Sequence, residues 1–266
     1  LENGTYAFAF SSGMAAVSAI LQSLKTGDHV LLPDDIYFTI KKLFNEVLKP
    51  WGLSYSQIDM TDLQALENAM KPNTAMIWVE TPSNPQLKLS DIKAISKLAH
   101  KNNALCVVDN TWLTPVFQNP LKLGADIVVH SSTKYFGGHS DISAGAVASS
   151  QLIIDKIWDL SKDFGGKLSD YTVWLLERSM KTLGIRLEAQ QRNAKRLAKF
   201  LNKHSAVKVV YYPGLKSNQY YSLAKIQMKG FGAMLSFELT DTYNAEAFLK
   251  ALKLIKPSMS LAGVES

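Results

Sequence analysis

Short β-branched or apolar runs alternate with longer helical patterns along this chain, and no other sequence feature restricts its fold as much. The runs His29–Leu32, Thr74–Val79, Ala104–Asp109, Asp126–Val129 and Ala144–Ala148 read as strands. Ile36–Leu48, Asp62–Met70 and Leu89–Asn102 read as helices between them, with Asp62 and Asp91 placed where helix-start acids belong. Strands this continuously apolar, alternating with helices, predict an α/β fold with a mostly parallel sheet covered on both faces. The 266 residues suit one large α/β domain and part of a second.

From Asp170 the texture turns helical, with Tyr171–Thr182 followed by Arg186–Lys203. In the second helix Leu187, Ala194, Leu197, Ala198 and Leu201 share one face, while Arg192, Lys195, Arg196, Lys199 and Lys203 share the other. This densest basic stripe reads as a solvated helix face. With 29 basic against 23 acidic residues the net charge is only +6, so nucleic-acid binding is not expected. Beyond Ser205 come the strand Val207–Tyr211, a turn at Pro213-Gly214, a short helix and the strand Ala233–Leu239. A helix at Tyr243–Leu254 and a last strand near Ser258 follow. The expected organisation is a major domain over residues 1–184, a connecting helix over 185–204 and the start of a smaller α+β domain over 205–266.

No apolar run approaches the roughly 18 to 20 residues that span a bilayer, so no membrane partner is expected. Cys106 is the only cysteine, which excludes an intrachain disulfide and a cysteine-rich metal site, and fits a reducing, cytoplasmic setting. The chain opens at Leu1 without an initiator Met or a basic leader, and stops just after a strand and its turn. The expectation is a piece of a longer protein, truncated at both ends and without a signal peptide.

Three segments carry chemistry. In Ser11-Ser12-Gly13-Met14-Ala15-Ala16 a strand runs into small residues that open a helix, and the free N–H groups of such a helix start suit a phosphate. Alone, the pattern reads as an ordinary N-cap. It is neither a Rossmann fingerprint nor a P-loop. In Val107–Thr111, Asp109 closes a buried strand, where α/β sheets place ligands; a lone Asp there equally starts a turn. In His130–His139, Lys134 follows another apolar strand among hydroxyl residues and glycines, with no acidic neighbour until Asp141. A lysine desolvated in such a place loses its proton and becomes a nucleophile. His139 reads as a structural histidine beside a glycine turn. Together, a phosphate cradle, a strand-end carboxylate and a loop lysine are the parts that hold pyridoxal phosphate.

These segments, with Asp34–Tyr37, Glu80-Thr81-Pro82-Ser83-Asn84-Pro85, Met180–Leu183, Tyr212–Leu215, Gly230–Phe237 and Ser260–Ser266, carry a resemblance that runs along nearly the whole chain. The chain resembles the Cys/Met metabolism, or trans-sulfuration, family of fold-type-I pyridoxal-phosphate enzymes, in its branch of cystathionine lyases and cystathionine γ-synthases. The resemblance implies a PLP-dependent transferase-like major domain and a PLP-dependent lyase, with Lys134 as the Schiff-base lysine. It implies that Asp109 partners the ring nitrogen and that Tyr37 stacks on the ring and moves protons. Gly13 and Met14 would offer N–H groups to the phosphate, with the Ser131 and Thr133 hydroxyls completing the cup. Asn84 would touch the ring hydroxyl, Glu80 would support that region and Thr111 would lie near the ring. Ser260 is similar to a serine near the substrate carboxylate, and Glu265 to an acid facing the distal amino group of cystathionine. No metal is implied.

The implied activity is C–S cleavage of cystathionine or a related amino acid by β- or γ-elimination. γ-Replacement on O-acyl-homoserine shares every residue quoted. A non-catalytic pseudoenzyme or inactive fragment and another fold-type-I activity are further readings. The family shows small residues after the stacking tyrosine, whereas this chain has Phe38-Thr39-Ile40, expected to narrow the pocket or reshape a subunit contact. A homodimer or homotetramer is implied for the full-length protein.

Overall fold

The computed structural model describes residues 1–258 and 260–263. Seven strands form one sheet: β1 (Tyr6–Phe10), β2 (His29–Pro33), β3 (Ser54–Ile58), β4 (Thr74–Glu80), β5 (Leu105–Asp109), β6 (Ile127–His130) and β7 (Gly145–Ser149). Their order is β1-β7-β6-β5-β4-β2-β3. The β3–β2–β4–β5–β6 pairs are parallel, and β7 lies antiparallel to both β1 and β6. The sheet is thus mostly parallel, and the strand expected at Ala144–Ala148 runs against its neighbours.

Parallel neighbours need crossovers, and helices supply most of them. They are α1 (Gly13–Gln22), α2 (Phe38–Leu43, continued as a π-turn over Phe44–Leu48), α3 (Leu63–Ala69) and α4 (Ile92–Lys101). The β5–β6 link is the short α5 (Thr114–Phe117) and a 3₁₀ turn, Pro120–Leu123. The acids at helix starts do what their positions predict. Asp62 accepts from the N–H groups of Gln64 and Ala65, and Asp91 from that of Ala94. Each such cap contributes about 1 kcal/mol.

Alternation along the central strands divides the core into two layers. Leu32, Trp78, Val107 and Val129 face α1 and α2, while Leu31, Ile77, Val79, Cys106 and Val108 face α3 and α4. Side chains buried this fully contribute roughly 1.5–3 kcal/mol each for the larger aliphatics. Both faces are covered, which is why the strands read as unbroken apolar runs.

The chain continues through α6 (Gln151–Phe164), α7 (Asp170–Met180) and α8 (Leu183–Leu201). A separate two-stranded sheet pairs β8 (Val207–Tyr211) antiparallel with β9 (Ser236–Leu239), flanked by α9 (Tyr221–Gln227) and α10 (Ala245–Ala251). The expected strand near Ser258 does not form: the described residues from 252 to 258 are irregular, and Pro257 has no N–H to give a ladder. The expected Ala233–Leu239 strand shortens to β9. The Tyr243–Leu254 helix shortens to α10, because the Asn244 side chain caps it at the Ala247 N–H.

Candidate active site

Strands β1, β2, β4, β5 and β6 point the same way, so the loops leaving their carboxyl ends gather at one edge. They surround a cavity of ≈ 300 Å³. Ligands of open α/β sheets bind at this edge. Ten of the residues singled out in the sequence line the cavity together, from Gly13 and Met14 on α1 to Lys134 after β6.

The N-terminus of α1 forms one wall. Ser12 caps the helix, its Oγ accepting from the Ala15 N–H at 3.0 Å. The N–H groups of Gly13 and Met14 precede the first i→i−4 bond of the helix and belong to its positive end. Gly13 is pressed against the facing loop: a Cβ at this position would stand 2.9 Å from Ser131 Cβ and 3.0 Å from its Oγ. Only glycine lets the helix start and the Ser131 hydroxyl share one cradle, and that cradle has the size and donor chemistry for a phosphate. Thr133 also lines the cavity, its Oγ1 donating to the Ala144 carbonyl at 3.2 Å and accepting from the Ala144 N–H at 3.0 Å just ahead of β7.

The floor carries two carboxylates. Glu80 and Asp109 are register partners at the ends of β4 and β5. Glu80 is buried and accepts the Tyr37 N–H at 3.2 Å. Burial, reinforced by the Asp109 charge, pushes its carboxyl well above the usual range. Asp109 is also raised by burial, but Thr111 opposes this by donating its N–H at 3.0 Å. Burial thus raises both adjacent acids, and Thr111 favours the charged form of Asp109, a form that a cation in the cavity, such as a protonated pyridine ring, would stabilise. Thr111 also accepts the Ser131 N–H at 2.8 Å, tying the acid's strand end to the phosphate cradle.

Lys134 lies in a π-type turn, Thr133–Gly137, with its own φ, ψ at −79°, −117°, outside helical values. Its Nζ donates to Ser260 Oγ at 2.6 Å, so the distant segment expected near the substrate does reach the lysine. Burial pulls the Lys134 pKa down, favouring the free amine. Tyr37 and Asn84 line the opposite wall. Of the unusual Phe38-Thr39-Ile40, only Ile40 reaches the cavity. Phe38 is 70% exposed and stacks edge-on against Tyr37 instead of narrowing the pocket. Glu265 lies outside the described residues. Trp112, Val129, Val17 and Leu261 complete the apolar walls and were not singled out as site residues; Trp112, next to Thr111, and Leu261, next to Ser260, had a signal in their positions. No cluster of three or more potential metal ligands occurs among the described residues.

The donors at α1, the strand-end Asp109 and the desolvated Lys134 fit pyridoxal phosphate as a set. The profile described as Cys/Met metabolism PLP-dependent enzyme matches residues 1–266, and the chain belongs to that family. It is 46% identical over 267 residues to the cystathionine beta-lyase of Lactococcus lactis subsp. cremoris MG1363, covering all of this chain and 70% of that protein. It is 44% identical to the cystathionine gamma-lyase of Bacillus subtilis 168, with the same coverage. The crystal structure of cystathionine gamma-lyase from Lactobacillus plantarum complexed with L-serine superimposes with a TM-score of 0.96 at 42% identity, covering 99% of this chain and 70% of that one. The fold is therefore fold type I, and the cofactor of the family is pyridoxal 5′-phosphate.

Proposed function

We propose that this protein is a carbon–sulfur lyase that cleaves cystathionine or a related sulfur amino acid by β- or γ-elimination. The observation that carries the reading is the meeting of Lys134 and Asp109 around one cavity at the strand ends, with Ser260 bonded to the lysine, in a chain whose relatives are named cystathionine lyases.

When bound, pyridoxal phosphate supplies a reactive aldehyde and an electron-withdrawing ring. The chain's own groups divide the remaining tasks. Gly13, Met14, Ser131 and Thr133 would bind the phosphate. Asp109 would hold a proton on the ring nitrogen. Tyr37 and Asn84 fix the ring's position, and Thr111 fixes Asp109. Lys134 would hold the aldehyde, and its Nζ, when free, would be the base that takes the substrate α-proton; burial favours the free amine by pulling its pKa down. Ser260 orients that amine and stands where a substrate carboxylate would approach; Glu265 would serve the distal amino group.

The domain division at 1–184, 185–204 and 205–266 is supported by two separate sheets joined through α8. Assembly as a homodimer or homotetramer is supported by the exposed rings of Phe164, Tyr171 and Trp174. No described helix is long and apolar enough to cross a membrane, which is compatible with a cytoplasmic location. Product analysis tests the activity. Pyruvate or 2-oxobutanoate from cystathionine supports the lyase. Cystathionine made from O-acyl-homoserine and cysteine, without cleavage, would replace it with γ-replacement.

A further inference from the structure

Lys134 can act only if its turn holds it at the cavity; the turn bonds both backbone groups of Lys134 itself, to the Ser131 carbonyl at 3.0 Å and the Gly138 N–H at 2.7 Å, but its carbonyls at Tyr135 and Phe136 look outside the turn for donors. On the N-terminal side, Thr133 is fastened to Ala144 by its N–H and hydroxyl. On the C-terminal side the carbonyls of Tyr135 and Phe136 lie within a buried apolar cluster. A buried carbonyl without a donor is unfavourable.

Arg186, in the first turn of α8, supplies the donors. Its Nη1 donates to the Tyr135 carbonyl at 2.9 Å and its Nη2 reaches the Phe136 carbonyl at 3.5 Å. The same guanidinium is anchored to the preceding helix end by Nη2 on the Ser179 carbonyl at 3.1 Å and Nε on Thr182 Oγ1 at 3.1 Å. All its partners here are neutral oxygens; no ion pair of Arg186 with a carboxylate occurs among the described residues. Burial accordingly lowers its pKa. The turn is shaped to admit it. Gly138, which ends the turn at φ 73°, has its Cβ position overlapping the Arg186 guanidinium, so any side chain there would expel the arginine. A planar fork with five donors can serve two successive carbonyls and a neighbouring helix at once, which an ammonium cannot.

We propose that Arg186 is the positioning residue that aims Lys134, by clamping the carbonyls of the two residues that follow it onto the start of α8. Arg186 touches neither cofactor nor substrate and acts only through the turn. The inference rests on the reading of Lys134 as the cofactor lysine.

The test compares the parent, Arg186→Ala, Arg186→Lys and Lys134→Ala in the presence of pyridoxal phosphate. The rate at which borohydride fixes the cofactor onto Lys134 is followed by peptide mass spectrometry, alongside thermal unfolding. The expected result is a fall of at least about tenfold in the Lys134 labelling rate for Arg186→Ala at temperatures where it is folded. Added guanidinium ion should restore part of that rate, and Arg186→Lys should recover less than half of it. Parental labelling in folded Arg186→Ala overturns the proposal, as does a loss that guanidinium leaves untouched. Should Arg186→Ala not fold, Arg186→Lys decides: a parental rate overturns the proposal and a marked loss supports it. Absence of label on Lys134 in the parent itself would instead refute the cofactor-lysine reading, and this inference with it.

Discussion

Glu80 and Asp109 are register neighbours of the same chemical type held in unlike surroundings. Glu80 offers its oxygen to the Tyr37 N–H within a nearly closed environment, while Asp109 has the Thr111 N–H to hold its charge. Glu80→Gln preserves an acceptor for Tyr37 and leaves the Asp109 carboxylate in place, so pyridoxal phosphate affinity should stay within about threefold. Asp109→Asn removes the anion and should weaken binding by at least tenfold, about 1.4 kcal/mol; a fluorescence titration distinguishes the two. Cys106 is a contrasting case. Burial pushes its thiol up to about 12, so it should not react with a disulfide reagent until the chain unfolds. Lys134 and Asp109 were legible in the sequence because apolar strands announce their own ends, and chemistry in such sheets collects there. Val129 and Arg186 were not legible: each is unremarkable locally, and its role is created by contact with segments distant in sequence, Arg186 with the carbonyls of Tyr135 and Phe136.

At the scale of elements, β2 begins with a buried histidine. His29 Nδ1 lies 2.8 Å from Thr74 Oγ1 and Nε2 lies 3.0 Å from Ser56 Oγ, bridging β2 to β4 and β3. Burial first, then the Lys71 charge, lowers its pKa to about 4. Between pH 6.5 and 4 the unfolded chain therefore binds more protons at this site than the folded chain, and stability falls as the pH falls through that window. Urea midpoints at pH 7 and pH 4.5 should separate more for the parent than for His29→Gln; equal separations would contradict this. The strands β2, β4, β5 and β6 were readable because both faces are covered and their interior positions are apolar. Strand β3, Ser-Tyr-Ser-Gln-Ile, was not, since it lies at the sheet edge with every residue only partly buried. The direction of β7 leaves no trace in composition, because an antiparallel strand buried on the same sheet has the same residues as a parallel one.

At the scale of the molecule, the sheet edge that gathers the site and the helices that expose aromatic rings are different regions. Tyr171 and Trp174, on one side of α7, are 71% and 57% exposed with their rings 6.0 Å apart. An apolar pair of this kind marks a contact surface. Sedimentation should show the parent associating with concentration, and Tyr171→Glu combined with Trp174→Glu should shift it toward monomer without altering its circular dichroism. The central claim, however, is that Lys134 is the residue that carries pyridoxal phosphate. The most direct measurement is to incubate the purified chain with the cofactor, reduce with borohydride and map the adduct by mass spectrometry. The account predicts a new visible absorption band and one stoichiometric adduct on Lys134, with both absent from Lys134→Ala. Equal labelling scattered over surface lysines in the parent and in folded Lys134→Ala would contradict it.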